Sequence, residues 1–147
     1  LVAGRELWLG GILIPHTHGL LGHSDADVLI HAICDALLGA ANMRDIGTHF
    51  PDTDVEFAGI DSKVLLERTV ALIAECGWHV GNVDCTVCAE RPKLNPHIVH
   101  MQQTLAPLMD VDANAVSIKA TTTEQLGFTG REEGISAYAT VLIFKKL

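Results

Sequence analysis

The sequence predicts an α+β domain in which a mixed sheet carries helices on one face. Three observations lead there. Apolar residues recur at helical and at strand spacing in alternating segments, with no linker, repeat or low-complexity stretch between them. The final segment alternates almost without fault, Ile135, Ala137, Ala139, Val141 and Ile143 against Ser136, Tyr138, Thr140, Leu142 and Phe144. Both sets carry apolar groups near the C-terminal end, so the sheet needs cover on two faces: helices on one, a partner subunit on the other. Finally, 147 residues are enough for one domain with a real core and too few for two comfortable ones.

Taken in order, 7–14 reads as a strand interrupted by Gly10-Gly11. Residues 24–41 form the clearest helix, with Ser24 as N-cap, Asp25 and Asp27 at the positive end of the dipole, and Ser24-x-x-Asp27 as a capping box. Val28, Ile30, Ile33, Leu37 and Leu38 supply its apolar stripe. A second helix spans about 62–76 and stops at Gly77. The strand 82–90 follows. Asn95-Pro96 starts a third helix, a cap followed by proline at the first helical position, which ends or kinks before Pro107. Strands at 115–121 and 135–145 close the chain.

Composition excludes several classes of function. Ten Lys+Arg against 18 Asp+Glu leave a formal charge of −8, the wrong sign for a nucleic-acid or membrane-surface binder. With 48% hydrophobic residues the chain is not disordered. There is no apolar run of transmembrane length and no targeting segment, so the expected setting is the cytoplasm of a bacterial cell. Cys85 and Cys88 form a C-x-x-C inside an alternating strand, where residues three apart face opposite ways. They and Cys34 and Cys76 therefore read as ordinary thiols of a reducing compartment.

Chemistry could sit in four places. Asp27, His31 and Asp35, four residues apart, make a carboxylate–imidazole–carboxylate stripe. It is either a solvated polar face or a metal-binding histidine oriented by carboxylates. His23, just ahead of the helix, sits where the dipole favours an anion. His16-x-His18 is a turn pair with a weaker claim on a metal, while His49, His79, His97 and His100 stand singly. The loop Asp45-Ile46-Gly47 with Phe50-Pro51-Asp52-Thr53-Asp54 is either a connector or a set of acceptors for sugar hydroxyls. In Lys119-Ala120-Thr121-Thr122-Thr123-Glu124 the threonines offer donors for phosphate oxygens. Glu124 beside them makes sense if a hard divalent cation lies between carboxylate and phosphate.

In order along nearly the whole chain, these segments resemble the 2-C-methyl-D-erythritol 2,4-cyclodiphosphate synthases of non-mevalonate isoprenoid biosynthesis. The resemblance rests on His23-Ser24-Asp25-Ala26-Asp27-Val28 leading to His31, Asp35 to Ala40, Asp45-Ile46-Gly47 and Phe50 to Asp54. It continues through Gly81-Asn82-Val83-Asp84, Arg91-Pro92-Lys93 with Pro96-His97, Lys119 to Glu124, and Gly127-Phe128-Thr129-Gly130-Arg131-Glu132-Glu133-Gly134.

The resemblance implies a single domain over 1–147 that packs its sheets together in a homotrimer, with active sites between subunits. It implies a phosphorus–oxygen lyase whose substrate is 4-diphosphocytidyl-2-C-methyl-D-erythritol 2-phosphate. The 2-phosphate attacks the β-phosphorus of the same molecule and expels CMP. The nucleophile is already anionic, so the protein's tasks are folding the substrate and neutralising phosphate charge. His31 is then the ligand of zinc or another divalent transition metal, and Glu124 that of magnesium or manganese. His23 and Thr122 become catalytic. Asp45, Ile46, Gly47, Phe50, Pro51, Asp52, Thr53 and Asp54 form the erythritol-phosphate pocket, and Ser24 is a further substrate-binding residue. Ala89, Pro92, Lys93, Leu94, Asn95, Ala120, Thr121 and Thr122 form the cytidine pocket, with Thr123 beside it. Phe128 and Arg131 match a substrate loop. Arg131 and Glu133 also match the three-fold axis, where relatives enclose an isoprenoid diphosphate.

One departure stands out. The family's first strand bears an Asp-x-His pair that completes the zinc site, whereas Asp25 is the first aspartate here. The resemblance thus implies that the chain lacks its first few residues, including the start of the first strand, and as it stands would bind zinc weakly and cyclise poorly. Two alternatives compete: a trimeric relative, catalytically impaired, that only binds nucleotide or isoprenoid diphosphate, and a zinc hydrolase built on His16, His18, His23 and His31.

Overall fold

The structure, a computed structural model, describes residues 1–146. Two small antiparallel pairs open the chain: β1 (Val2–Ala3) with β4 (His18–Gly19), and between them β2 (Leu7–Leu9) with β3 (Ile12–Ile14). The expected single strand over 7–14 is therefore a hairpin. Gly10 and Gly11 stand at φ +63° and +79°, the two left-handed positions of a two-residue turn, which side chains resist. Gly10 is also packed tight, since a Cβ there would lie 2.6 Å from Met101 Cγ.

The first long helix, α1 (Val28–Ala40), starts four residues later than Ser24. Its N-cap is Asp27, whose carboxylate accepts the Ile30 N–H. Ala26 at φ 60° breaks any helical path from Ser24, whose Oγ instead accepts the Ala26 N–H in a local turn. Leu29, Ile30, Ile33, Leu37 and Leu38 are fully buried and form the core stripe. The short α2 (Ile46–His49) and a 3-10 turn at Val55–Phe57 lead to α3 (Ser62–Glu75), capped by Asp61 and closed at Gly77 as expected.

The next strand, β5 (Trp78–Cys88), begins four residues before Asn82. A 3-10 turn, Asn95–His97, feeds α4 (Ile98–Leu108), and Asn95 lies inside that turn without capping it. The helix passes through Pro107, because a proline in the last turn forfeits little of the ladder. Then come β6 (Val116–Thr121), the short α5 (Gly127–Gly130) and β7 (Ser136–Lys145).

The main sheet is mixed, in order β6-β5-β7, with β6 parallel and β7 antiparallel to β5. Helices lie on one face, α1 over β7 and α4 over β6, and Val83, Cys85, Val87, Val116 and Ile118 point into the shared core. The opposite face exposes Tyr138, Leu142 and Phe144, the set that β7's alternation set apart. Cys85 is buried and Cys88 half-buried, and all four cysteines are free. Burial pushes the Cys34 and Cys85 thiols up to about 12, so neither is a ready nucleophile.

Candidate active site

Two pockets gather most of the residues that the sequence singled out. The larger, of 620 Å³, opens between the entry to α1, α2 and the loop that follows. His23, Ser24, His31, Ile46, Gly47, Phe50, Pro51 and Asp52 line it. Its apolar floor includes Leu20, Phe57, Ile60 and Leu65, and Phe50 meets Phe57 edge-on at 5.6 Å between ring centroids. Asp45, Thr53 and Asp54 stand outside the lining. Asp45 caps α2, and the hydrogen bonds from Thr48 hold its carboxyl below the usual range. Asp54 caps the 3-10 turn, and its carbonyl accepts the His23 Nε2–H at 3.0 Å.

The Asp27–His31–Asp35 stripe is not one solvated face, and its two carboxylates do not orient the histidine. Asp27 is fully buried and its carboxylate accepts three backbone N–H groups, from Gly10 (3.0 Å), Gly11 (2.7 Å) and Ile30 (3.1 Å). It locks the 7–14 hairpin onto the start of α1. Burial raises its carboxyl to about 6, against the pull of those N–H groups. Asp35 is exposed and accepts the Ile46 N–H at 2.9 Å, tying α1 to α2. Neither carboxylate bonds to His31. His23, likewise, is not at a helix N-terminus, because Asp27 occupies that place.

His31 instead meets two hydroxyls. Its Nε2 lies 3.2 Å from Ser24 Oγ and 3.0 Å from Ser62 Oγ. Ser62, buried at the first position of α3, bonds in turn to Asp25, whose Oδ1 accepts its hydroxyl and whose Oδ2 accepts its N–H at 3.0 Å. Burial lowers the imidazole from its ordinary value, while Asp25 and Asp35 pull it back. Sequence reasoning missed Ser62 entirely and gave Asp25 only a helix-dipole role. The one local hint was a serine opening a helix, which is too common to signal a site.

The second pocket, of 90 Å³, is a shallow groove at the ends of β5 and β6. Ala89, Pro92, Lys93, Leu94, Asn95, Ala120, Thr121 and Thr122 line it, the full set expected for cytidine, together with Glu90, which sequence reasoning passed over. Glu90 Oε1 accepts the Gln125 N–H at 2.6 Å and so holds the turn after β6. Thr122 Oγ1 accepts the Glu124 N–H, and Thr123 Oγ1 is spent on the Leu126 carbonyl at 2.7 Å. Glu124, Phe128, Arg131 and Glu133 are exposed outside both pockets, and Arg131 pairs with Glu133 at 2.7 Å.

Among the described residues no three His, Cys, Asp or Glu side chains gather where a metal ion could be held. His31 has hydroxyls rather than carboxylates or imidazoles around its bonded nitrogen, and Glu124 stands alone. A catalytic zinc needs three protein ligands, so these residues do not by themselves make up a metal centre. The hydrolase built on His16, His18, His23 and His31 fails on the same ground. Nor is any described helix long and apolar enough to cross a membrane.

The model of the YgbB family matches residues 1–144. A relative in Bacteroides fragilis, named 2-C-methyl-D-erythritol 2,4-cyclodiphosphate synthase, is 73% identical over 143 residues, which is 97% of this chain and 90% of the relative. Among solved structures, the bifunctional IspDF of Campylobacter jejuni superposes with a TM-score of 0.92 at 42% identity. That match takes in 97% of this chain but 39% of the larger protein. The IspF of Plasmodium falciparum, in complex with CDP, gives a TM-score of 0.85 at 32% identity, over 97% of this chain and 86% of that one.

Proposed function

The chain belongs to the YgbB family, and on that premise we propose that it forms 2-C-methyl-D-erythritol 2,4-cyclodiphosphate, the reaction its curated relatives are named for. The binding-only alternative falls away, because relatives 73% and 72% identical are named as synthases. One observation supports the reading above the others. All the residues expected for the cytidine end line one pocket, and Ile46, Gly47, Phe50, Pro51 and Asp52 of those expected for the erythritol-phosphate end line a separate, larger one.

The erythritol phosphate sits in the 620 Å³ pocket, with its methyl-bearing carbon chain against Phe50, Phe57 and Ile60 and its hydroxyls toward Asp52. The cytidine end takes the groove at Ala89–Asn95 and Ala120–Thr122, the nucleotide chemistry for which the CDP complex of a relative is a precedent. An oxygen of the 2-phosphate bonds to the β-phosphorus, the bond from that phosphorus to the CMP oxygen breaks, and the electron pair leaves on CMP. No base is required of the protein. His23 spends Nε2–H on the Asp54 carbonyl, which fixes the ring at the rim of the phosphate end of the pocket. Thr122 offers a hydroxyl at the other end.

Divalent metals would supply phosphate charge neutralisation, with His31 and Glu124 as single ligands. No step runs through them here, because the described residues complete neither site. The outer sheet face, with Tyr138 and Leu142 63% and 62% exposed, supports a homotrimer in which a groove from one subunit completes a pocket of the next. The mutual pairing of Arg131 and Glu133, outside both pockets, favours their axial assignment. The proposed setting is the bacterial cytoplasm.

The test is to incubate the protein carrying this chain with 4-diphosphocytidyl-2-C-methyl-D-erythritol 2-phosphate, zinc and magnesium, and to follow phosphorus NMR. CMP and a cyclic diphosphate should appear in equal amounts. Absence of CMP overturns the activity, and a monomer by light scattering overturns the shared site.

A further inference from the structure

We infer that Asp25 and Ser62 are positioning residues for His31, a residue of the pocket lining, fixing its neutral ring as the Nε2–H tautomer and leaving the free electron pair on Nδ1. The inference deepens the proposed function by saying what kind of group His31 engages.

The argument is a count of protons. Both Asp25 oxygens accept from Ser62, Oδ1 from the hydroxyl and Oδ2 from the N–H, as a carboxylate does. The one hydroxyl proton of Ser62 is therefore spent on Asp25. At its other contact, 3.0 Å from His31 Nε2, Ser62 Oγ has only lone pairs to give, so Nε2 must carry the hydrogen. Ser24 Oγ, 3.2 Å from the same Nε2, accepts the Ala26 N–H and keeps a second lone pair for the Nε2–H that the Ser62 contact requires. A neutral imidazole has one N–H, and Nδ1 is left bare.

The carboxylate that imposes this is itself held firmly. Asp25 Oδ1 also accepts the Asp27 N–H at 3.1 Å, Oδ2 accepts the Ser62 N–H at 3.0 Å, and the Asp25 N–H donates to the Ile60 carbonyl at 3.1 Å. A further backbone bond, from Gly59 N–H to the His23 carbonyl at 2.7 Å, closes the same seam. The approach to α1 is thus stitched to the start of α3, and His31 reads the stitch through one hydroxyl.

The consequence is chemical. An Nδ1–H ring would donate to a phosphate oxygen, whereas a bare Nδ1 repels one. His31 so held engages an electron-poor partner, a cation or a hydroxyl proton, and leaves phosphate oxygens to other donors.

The test uses nitrogen-15-labelled, metal-free protein at neutral pH and the long-range proton–nitrogen correlations of the His31 ring. The proton should sit on Nε2 in the wild type. Asp25→Ala removes the acceptor, frees the Ser62 hydroxyl to donate to Nε2 and should swing the proton toward Nδ1. Ser62→Ala should give an averaged ring, and Ser62→Thr should restore the wild-type pattern. Outer partners of this kind affect function by about 10- to 100-fold, so turnover should fall by about tenfold in kcat with KM nearly unchanged in the first two variants and recover in the third. A wild-type ring protonated on Nδ1 overturns the inference whatever the activity, and it needs no variant that has to fold. An Nε2–H ring with unaltered turnover in both variants overturns the positioning role. An inactive wild type with the Nε2–H ring intact counts against the proposed function and leaves the tautomer standing.

Discussion

The larger pocket and the strand-end groove are built by opposite means. The pocket is framed from behind by buried polar joints: Asp27 on the Gly10-Gly11 turn, and Asp25 on Ser62, each joining segments distant in sequence. The groove is made by the ends of two parallel strands and a loop with a cis Arg91–Pro92 bond, and its fastenings are exposed. Loss of the fully buried Asp27 joint should therefore unsettle the fold, whereas loss of a groove residue should weaken a ligand and leave the fold alone.

The sharpest way to break that contrast is Asp27→Ala. It strands three buried N–H groups, two of them in the Gly10-Gly11 turn. Hydrogen bonds to a charged group are each worth about 1.5–3 kcal/mol, and the expected loss is about 3–5 kcal/mol in denaturant unfolding. The pH dependence carries the sign. Burial raises Asp27 from 3.8 to about 6, so the folded state holds this proton more tightly than the unfolded chain. Its contribution is fully present below pH 4 and is lost as pH rises to about 6, by up to about 3 kcal/mol. The gap in stability between wild type and Asp27→Ala should therefore narrow over that window. A gap that widens would mean that the three N–H bonds outweigh burial.

Lys93→Ala tests the other side. Lys93 is exposed in the groove, and its removal should weaken CDP by about tenfold in calorimetry, the size of one charge-assisted contact. Unfolding free energy should stay within about 0.5 kcal/mol of wild type. Unchanged CDP affinity would take the cytidine end of the substrate out of this groove.

The same contrast explains what could be read from the sequence. That Ala89, Pro92 to Asn95 and Ala120 to Thr122 share one groove came from the family resemblance rather than from any local pattern; of the residues themselves only the threonine run pointed there, and Glu90 is an addition of the structure. The alternation of β7 gave its two faces correctly. The pocket's front was legible locally, through His23-Ser24 and Phe50-Pro51-Asp52. Its back was not. Ser24-x-x-Asp27 has the spacing of a capping box, yet the donors that claim Asp27 include Gly10 and Gly11, and nothing near Ser24 reports them. The pair Gly10-Gly11 is visible in the sequence but looks like a break in one strand, because the carboxylate that holds the turn lies on another element. Ser62 reaches Asp25 across 37 residues, a pairing that no periodicity contains.

The smallest expected effect is also the one most specific to the groove. Arg91 and Glu132 pair at 2.5 Å and clip the groove loop to the turn after α5, with side chains 69% and 39% exposed. Two charges so open to water gain little from each other, because solvent screens the attraction and ordering two long side chains costs entropy. A double-mutant cycle on Arg91→Ala and Glu132→Ala should give a coupling below about 1 kcal/mol in stability, and less in high salt. If the groove were framed as the pocket is, the coupling would reach the several kcal/mol of a buried joint and would resist salt. A large, salt-insensitive value would thus erase the distinction between the two regions, whereas a small one places the groove's rigidity in its strand ends rather than in its ion pairs.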